Sequence, residues 1–377
     1  MSNQLSKLLA PVSSELFFER YWGREYLYVG RNSGECYNDI LRVEDIDLFL
    51  QSEKLPSALV NVVSGGVPHP VTEWSRIDKG ARGEVSVAVP ERLFSLYRQG
   101  ATLILNQVHQ AIPGVSQACR NLAHDLGFPV RANIYITPPG SQGFSPHADD
   151  HEILILAISG AKDFLLKPQG SEAIEAKLHA GDLLYIPRGL VHEGRTLITP
   201  SVHLSIGLKP VYAFQLVEEL ASIAREHPQF QQIVPLRGID VGARRPFYGE
   251  YLQQLHALID STQLEILANR RFRSFVDRQS AGWPGRFSDL LRIDNMTLDT
   301  RLVLREGILT ETEEREGAIY LRFAGNCITV PLFLKPSLEW VLRGPAFAVR
   351  EITGLISNEM KVDFVKPLVA AGILRIL

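Results

Sequence analysis

The feature that most constrains this chain is a run of six apolar residues that closely follows two polar side chains at alternate positions. The apolar run, Ile153–Ile158, predicts a buried strand. The polar pair is His147 and Asp149. In an extended backbone, side chains two residues apart point to the same side, so an imidazole nitrogen and a carboxylate oxygen can be offered to one point. A His-x-Asp pair is also common on protein surfaces; here it directly precedes a buried strand, which favours a site on a β scaffold.

A third donor for the same point is available further along the chain. His192 follows a predicted turn at Gly181-Asp182 and a short apolar strand. Two histidines and one carboxylate form the facial triad that leaves coordination positions open on non-haem Fe(II). His203 and His151 are rivals for the third position, because strand alternation puts His203 on a polar face and His151 on the same side as Asp149.

The strand before this pair is predicted to carry a second polar face. Asn133, Tyr135 and Thr137 alternate with isoleucines, so the three polar side chains point the same way. Such a face suits a pocket lined by a few placed polar groups. Beyond the apolar run, Ser159-Gly160 is predicted to form a turn. Lys162 then either marks a solvated strand end or reaches back to pair with an anionic group in the pocket.

Two long motifs in this part of the chain resemble those of a known family. Asn-x-Tyr-x-Thr-Pro-Pro-x-Ser-Gln-Gly-Phe-x-Pro-His-x-Asp stands at Asn133–Asp149, and Gly-Asp-Leu-Leu-Tyr-x-Pro-Arg-Gly-x-x-His stands at Gly181–His192. Both recur nearly unchanged in bacterial cupin-like members of the JmjC family, on its ribosomal oxygenase branch. The resemblance runs over most of the chain. It implies a double-stranded β-helix and an oxygenase that uses Fe(II), 2-oxoglutarate and O₂.

The resemblance also implies roles for individual residues. The ligands implied for iron are His147, Asp149 and His192. His192 is preferred to His203 because it follows the Pro187-Arg188-Gly189 turn of the second motif. The residues implied for 2-oxoglutarate are Asn133, Ser205 and Lys162, of which Lys162 would pair with the distal carboxylate, and Thr137 is expected beside them on the same polar face. Ser205 stands where relatives often carry threonine, so a hydroxyl is kept.

The substrate side of the pocket is where this chain departs from the family pattern. Ala148 lies between the two ligands where relatives often have tyrosine, and Asp163-Phe164 follows the lysine where they often have Arg/Lys-Trp. The residues expected to line the substrate pocket are Tyr135, Ala148 and His151. Relatives on this branch hydroxylate a side chain of a ribosomal protein. The expected substrate is therefore a polypeptide, with a small biosynthetic intermediate as the alternative.

Length and composition describe an ordinary globular protein. The chain has 377 residues, of which 45% are hydrophobic and 21% charged, enough for two or three domains. A net charge of −3 gives no electrostatic reason to expect binding to nucleic acid or to a membrane surface. The three cysteines, Cys36, Cys119 and Cys327, are far apart, which fits a reducing cytoplasm. We find no signal peptide and no apolar run long enough to span a membrane.

Three domains are expected. Residues 1–209 are predicted to form the catalytic double-stranded β-helix with N-terminal helices, which gives a mainly β core. Within it we predict a helix opening the segment 14–29, strands in 57–72, and a helix over Ile112–Leu126. His109 is expected at a strand-to-helix junction rather than as a metal ligand.

Residues 210–285 are predicted to form a helical dimerisation module, with helices over Val211–Glu226 and Tyr251–Arg273. Residues 286–377 are predicted to resemble a winged helix, with a hairpin turning at Gly325-Asn326, a helix over Ala348–Ile356 and a closing strand over Ile373–Leu377. Its last 58 residues carry seven Lys or Arg and four Asp or Glu, which is no basic stripe, so nucleic-acid binding is not expected.

Other classes of function remain open from the sequence. A non-catalytic cupin would bind metal or ligand without turning over 2-oxoglutarate. A transcriptional regulator would use the C-terminal domain for salt-sensitive DNA binding. A cupin isomerase would need a more histidine-rich metal site and would have no use for Lys162. The helices of residues 210–280 carry more apolar side chains than a thin surface layer needs, so we expect a homodimer.

Overall fold

The protein divides into two units, Met1–Pro210 and Val211–Leu377. The computed structural model describes residues 4–31, 33–51, 54–80, 83–234, 241–262, 264–279, 282–354 and 356–377. The side chains of residues 241–247 and 264–265 lie outside the described part of the chain.

The first unit is a β core with helices. Its strands are β1 (Leu27–Val29), β2 (Val60–Ser64), β3 (Val67–Pro68), β4 (Ser75–Gly80), β5 (Gly83–Ala88), β6 (Thr102–Leu105), β7 (Val130–Thr137), β8 (Glu152–Lys167), β9 (Ile174–His179), β10 (Leu183–Ile186), β11 (Val191–Arg195) and β12 (Ser201–Leu208). Its α-helices are α1 (Gln4–Leu9), α2 (Ser14–Leu16), α3 (Val43–Leu50), α4 (Val71–Trp74), α5 (Pro90–Arg98) and α6 (Pro113–Leu126).

Ten of the twelve strands described in this unit form one antiparallel system built on β8. The main sheet runs β1-β10-β8-β12-β7-β6-β2-β3, and β9 and β11 pair with the second half of β8. β4 and β5 form a separate hairpin. This mainly β core with helices is consistent with the expected jelly-roll.

Strand β8 is long because it continues through Gly160, and the prediction of a turn at Ser159-Gly160 is wrong. The first half of the strand pairs with β10 and β12, and the second half pairs with β9 and β11. Gly160 adopts φ +71°, and an added Cβ would lie 1.8 Å from the Pro200 carbonyl oxygen. The left-handed glycine therefore bends the strand instead of ending it, so that one strand pairs with β10 and β12 before the bend and with β9 and β11 after it.

Of two N-terminal predictions, the helix that opens the segment 14–29 is confirmed, and the strands within 57–72 need correction. The helical segment that opens at Ser14 ends as a π-helical turn at Tyr21, and β1 begins at Leu27. The strands predicted within 57–72 stop at Pro68, and α4 follows at Val71. Prolines at 68 and 70 cannot donate to a strand ladder, which is a physical reason for the strand to stop there. Helix α6 confirms the prediction for Ile112–Leu126 to within one residue.

The turn before β10 is held by a buried carboxylate. Asp182 accepts hydrogen bonds from the backbone N–H of Arg31, the backbone N–H of His179 and the hydroxyl of Tyr28. Gly181 adopts φ +95°, as the predicted turn requires. Three donors around one carboxylate tie β1 to β10 and so fix the start of the segment that leads to His192.

The second unit, described by itself, begins with helices and continues with two small sheets. Its elements are α7 (Ala213–Glu226), α8 (Val241–Ser261), α9 (Leu264–Asp277), α10 (Arg286–Arg292), β13 (Arg301–Leu304), β14 (Glu311–Arg315), β15 (Ala318–Phe323), β16 (Asn326–Pro331), α11 (Lys335–Arg343), β17 (Phe347–Ala348), α12 (Asn358–Ala370) and β18 (Leu374–Ile376). The sheets are β17-β13-β18 and β14-β15-β16. No helix in the described part of the chain is long and apolar enough to cross a bilayer.

The C-terminal hairpin is confirmed, and two helices differ from prediction. β15 and β16 turn at Gly325, which adopts φ +71°. The predicted helix over Tyr251–Arg273 is two helices, α8 and α9. The predicted helix over Ala348–Ile356 is wrong: residue 348 ends β17, and a single 3₁₀ turn follows at Val349–Glu351. Pairing of β17 with β13 overrides the local helical pattern, and Leu355 lies outside the described residues.

Candidate active site

The candidate site starts from a two-residue bridge between distant parts of the chain. The backbone N–H of His147 donates to the carbonyl of His192 at 3.1 Å, and the N–H of His192 donates back at 2.8 Å. Directly opposed residues of an antiparallel pair project to the same face. The two imidazole rings accordingly lie with their centroids 4.6 Å apart.

Hydrogen bonds orient both rings with the same nitrogen free. His147 Nδ1 lies 2.9 Å from the carbonyl of Ser145, and His192 Nδ1 lies 3.0 Å from the carbonyl of Leu190. A carbonyl oxygen only accepts, so both Nδ1 atoms carry the proton and both Nε2 atoms keep a lone pair. Such a backbone contact is the usual support for a histidine that binds a metal through Nε2. Burial also lowers the pKa of His192 below its ordinary value, which favours the neutral ligand form.

Asp149 brings a carboxylate to the same point. Its Oδ2 lies 3.5 Å from His192 Nε2 and 3.8 Å from His147 Nε2. The Pro187-Arg188-Gly189 turn helps to place it, because the N–H of Gly189 donates to the Asp149 carbonyl at 3.0 Å. Among the described residues, these three are the only group of three or more His, Cys, Asp or Glu side chains whose donor atoms lie within 4.8 Å of one another.

A buried lysine faces the same cavity. Lys162 is 5% exposed, and its Nζ donates to Thr137 Oγ1 at 3.0 Å. No carboxylate of the described residues lies within 4.0 Å of its ammonium group. Burial lowers the pKa of Lys162 from its ordinary value to about 7. A buried cation without an anionic partner is costly to keep, which is a reason to look for an anion that enters from outside.

The triad and Lys162 open onto one cavity of about 390 Å³. Of the residues predicted from sequence, those that line it are His147, Asp149, His192, Asn133, Lys162, Ser205, Tyr135 and His151. The Asn133 Oδ1 accepts the backbone N–H of Gln107 at 2.9 Å, so its amide nitrogen is the group left for a ligand. Thr137 does not line the cavity but contacts Lys162 from behind as its hydrogen-bond acceptor.

Ala148, like Thr137, is a predicted site residue that does not line the cavity, and its side chain makes no hydrogen bond to a lining residue of the kind that Thr137 makes to Lys162. It is exposed and absent from the cavity wall. The reason is the same alternation that joins its neighbours: with residues 147 and 149 pointing inward, residue 148 points away.

The rival histidines, His203 and His151, line the same cavity but lie outside the three-residue donor group. His203 is buried and stacks on Tyr135 with ring centroids 4.8 Å apart. Its Nδ1 has no hydrogen-bond partner among the residues that the structure describes, and burial lowers the pKa of His203 well below the ordinary value. Nδ1 of His151 lies 2.7 Å from Asp150 Oδ1. His109 accepts the N–H of Ala132 at 3.2 Å on a 3₁₀ turn, which fits the structural role predicted for it.

Several cavity residues were missed from the sequence. Asn61, Asn106 and Gln107 contribute amide side chains, and Arg131 and Lys209 contribute cations. The signal for Arg131 was present, because the polar alternation of β7 extends one step earlier than Asn133. The amides had no comparable signal, since a strand pairing brings residues 61 and 106 to the cavity.

Comparison with known proteins identifies this region. Residues 107–216 match the family model described as "JmjC domain". A Branchiostoma floridae protein, "Bifunctional lysine-specific demethylase and histidyl-hydroxylase NO66", is 31% identical over 241 residues, covering 62% of this chain and 38% of its own. "Ribosomal oxygenase 1" of Gallus gallus is 26% identical over 366 residues, covering 83% of this chain and 60% of its own.

Among solved structures, the chain is similar to "YcfD a Ribosomal oxygenase from Escherichia coli in complex with Cobalt and 2-oxoglutarate". The TM-score is 0.57 at 16% identity, with 97% of this chain and 98% of that chain covered. At this identity the likeness concerns the fold.

Residues 107–216, which hold the three donors, thus match a JmjC domain. The relatives and structural neighbours of the chain lie on the ribosomal oxygenase branch of that family, as the sequence motifs predicted. The chain spans less than two thirds of the length of the curated relatives it matches.

Proposed function

We propose that this protein is an Fe(II)- and 2-oxoglutarate-dependent oxygenase that hydroxylates a C–H bond in a side chain of a protein or peptide. The observation that carries the proposal is the convergence of His147, Asp149 and His192 on a cavity that also holds the buried cation of Lys162, which has no carboxylate partner in the described part of the chain. A metal-binding cupin without turnover accounts for the triad but gives no reason to keep a lysine buried beside it.

The residues present fit the two groups that the proposal requires. Two neutral imidazoles and one carboxylate are a donor set for Fe(II) that leaves positions open for 2-oxoglutarate and O₂. A 2-oxoglutarate carboxylate would supply the anion that Lys162 lacks, with the amide of Asn133 and the hydroxyl of Ser205 as further contacts. Thr137 would hold the lysine ammonium in place.

When bound, iron and 2-oxoglutarate together supply an oxidant for a C–H bond, with 2-oxoglutarate converted to succinate and CO₂. The chain contributes placement. The carbonyls of Ser145 and Leu190 hold the two imidazoles in one tautomer, and burial of Lys162 excludes water from the closed end of the cavity. Tyr135 and His151 are proposed to contact the substrate at the open side; burial raises the pKa of Tyr135 to about 12, so its hydroxyl stays a donor.

The proposed substrate is a polypeptide, on the strength of relatives whose names describe histidyl-hydroxylase and ribosomal oxygenase. A ribosomal protein is therefore the first substrate to test, and cytoplasm is the proposed location.

The experiment that tests the activity separates metal, cosubstrate and turnover. Binding of Mn(II) and then of 2-oxoglutarate is followed by calorimetry, and succinate release is followed with Fe(II) and O₂. Asp149→Ala should lose metal binding by at least about a hundredfold, because one anionic ligand is removed from a three-residue site. His179→Ala, on the exposed edge of β9, is the matched control and should keep both. Unchanged metal affinity in Asp149→Ala would refute the site.

The choice of third ligand has its own test. His192→Ala should abolish metal binding, while His203→Ala should retain a measurable metal affinity even if catalysis suffers. Retained affinity in the first variant together with loss in the second would reverse the assignment.

We also propose a division into a catalytic domain at 1–209, a helical dimerisation module at 210–285 and a winged-helix domain at 286–377. Supporting the module, Ile223, Leu258 and Leu267 form a small buried cluster, whereas Phe214 and Leu252 stay more than half exposed. Pairing of two copies would cover that remainder. Supporting the winged helix, helices α11 and α12 combine with the β14–β16 meander and the closing strand β18.

Light scattering tests the homodimer. A mass near twice 42.1 kDa that Phe214→Glu reduces to the single-chain value is the expected result. A single-chain mass for the unaltered protein at every concentration would contradict it.

A further inference from the structure

Two cations that the proposed chemistry does not use lie at one end of the cavity. Arg131 is exposed, Lys209 is half-buried, and both line the cavity that the triad and Lys162 share. Along β7 the cavity-lining residues run Arg131, Asn133 and Tyr135, and Thr137, which contacts Lys162, follows them; the series goes from an exposed residue to a fully buried one. The two extra cations therefore belong to the open end, and Lys162 belongs to the closed end.

Strand register places these two cations on the same face. Arg131 stands opposite Gly207 in the β7–β12 pair, and Lys209 is two residues beyond Gly207. The N–H of Lys209 donates to the carbonyl of Pro129 at 3.0 Å, so the ladder continues to this position. Diagonal neighbours of this kind have Cβ atoms roughly 7 Å apart, within reach of two long side chains for a single small anion. Gly207 between them has no side chain, and His151 lies over it, with Nε2 2.8 Å from the position that a Cβ of residue 207 would take.

Neither cation has a carboxylate partner in the part of the chain that the structure describes: none lies within 4.0 Å of Arg131 or of Lys209. Asp150 is close enough for Lys209 to help lower its pKa, but that carboxylate is mostly exposed and contacts His151 Nδ1 at 2.7 Å. The open end of the cavity thus keeps a net positive charge.

The remaining wall has amides rather than acids. Asn61, Asn106 and Gln107 line the same cavity, and among its described lining residues the only carboxylate is Asp149 of the triad. A substrate that brought a guanidinium or ammonium group would meet like charge with no acid to pair with, which is unfavourable. An anionic group would meet two free cations and amide donors.

We infer that Arg131 and Lys209 bind a carboxylate of the substrate at the open end of the cavity. The inference rests on the proposed function and names its substrate class: an acidic substrate, whose carboxylate is either an Asp or Glu side chain in a polypeptide or part of a small organic acid. Arg131 supplies a planar fork for the two carboxylate oxygens, and Lys209 adds a point charge from the neighbouring strand. The pair acts on specificity, and the metal and 2-oxoglutarate contacts lie elsewhere in the cavity.

The test uses the full chain loaded with Zn(II) and N-oxalylglycine, an unreactive analogue that fills the 2-oxoglutarate position. Loading is measured first by calorimetry. Short blocked peptide pools, random except for one fixed Glu, Gln or Lys, are then passed over the loaded protein, and the retained fraction of each pool is measured. Glutarate and citrate are titrated separately into the same loaded protein, so that a small acid is distinguished from an acidic peptide.

The expected result is a preference for carboxylate that depends on the two cations. The loaded protein should bind the Glu pool, or the small acids, about fivefold or more over the neutral comparison. In the Arg131→Gln/Lys209→Gln double variant the ratio of acidic to neutral binding should fall to about one. Lys177→Gln, which removes an exposed lysine of β9 away from the cavity, should keep the preference. N-oxalylglycine affinity should be unchanged in all variants, which a general loss of structure would not allow.

Two results would overturn the inference. One is the absence of any preference for carboxylate in the unaltered loaded protein, and the other is a preference that survives in the double variant. Binding of a short single-stranded RNA that depends on the same two residues, without preference among the acids, would also reject the carboxylate assignment. Failure of the protein to take up Zn(II) and N-oxalylglycine would instead refute the proposed function itself.

Discussion

The buried ammonium group of Lys162 permits a prediction in which stability and ligand binding move in opposite directions. Replacing Lys162 by Met keeps the length of the side chain and removes the charge. Burial lowers the pKa of Lys162 from its ordinary 10.5 to about 7. Each unit of pKa change corresponds to about 1.4 kcal/mol. The buried charge therefore lowers the unfolding free energy at pH 7 by roughly 5 kcal/mol at most.

The sign follows from the direction of that pKa change. Because the unfolded chain holds the proton more tightly, the cost is absent above pH 10.5, grows as the pH falls, and is fully present near pH 7 and below. The lost hydrogen bond to Thr137 offsets about 1 kcal/mol. We therefore expect Lys162→Met to raise the unfolding free energy of the ligand-free protein by roughly 2–4 kcal/mol at pH 7, and by much less at pH 10.

The same variant should bind 2-oxoglutarate more weakly by a few kcal/mol, because the distal carboxylate would face an apolar side chain. Urea unfolding at pH 7 and pH 10 gives the stability, and calorimetry with Mn(II) gives the affinity. Lys167→Met is the matched control: this lysine is on the same strand but exposed, and its change should stay within about 1 kcal/mol in both measurements. A variant less stable than the unaltered protein at pH 7, with unchanged 2-oxoglutarate affinity, would refute the reasoning.

Three further predictions concern the scaffold. Gly160→Ala should lower the unfolding free energy measured in urea by roughly 3–5 kcal/mol, because φ is +71° and the new Cβ would lie 1.8 Å from the Pro200 carbonyl oxygen. Gly170→Ala, where a Cβ would have nothing within 4 Å, should lower it by only about 1 kcal/mol, and equal losses would contradict the account. Arg305→Met should destabilise the second unit by roughly 3–5 kcal/mol, because it removes the ion-pair partner of the buried Asp289. Adding Asp289→Asn should recover part of that loss, and no recovery in denaturant unfolding would contradict this account. Burial holds the pKa of His109 below its ordinary 6.5, so the stability that the neutral imidazole contributes is present above pH 6.5 and is lost as the pH falls below it. His109→Gln should therefore lose less stability on acidification than the unaltered protein, and parallel profiles of stability against pH would count against this.

Much of the site was predictable because its signals are local. The inward pair His147 and Asp149 follows from alternation of side chains in an extended backbone, and the same rule sends Ala148 outward. The apolar run Ile153–Ile158 is buried as predicted, since six apolar residues in succession have no other stable location. The β15–β16 hairpin follows from the Gly325-Asn326 signal.

Other features depend on pairings between residues far apart, which local patterns do not encode. Alternation alone left His192 and His203 open as the third donor, and the backbone bridge from residue 147 to residue 192 brings His192 beside its partners. Ser159-Gly160 has the composition of a turn, yet strands on both sides of β8 hold it as a bend within one strand. Residue 348 joins β17 because β13 is available to pair with it.

The sequence by itself determined which side chains could serve as ligands and which segments had to be buried, because residue chemistry and side-chain alternation are properties of the local chain. Only the tertiary structure decided which of those side chains meet, and it added Asn61, Asn106, Arg131 and Lys209 to the cavity. The physical reason is that hydrogen-bonded strand register sets distances between residues remote in sequence, and that register is selected by the packing of the whole sheet.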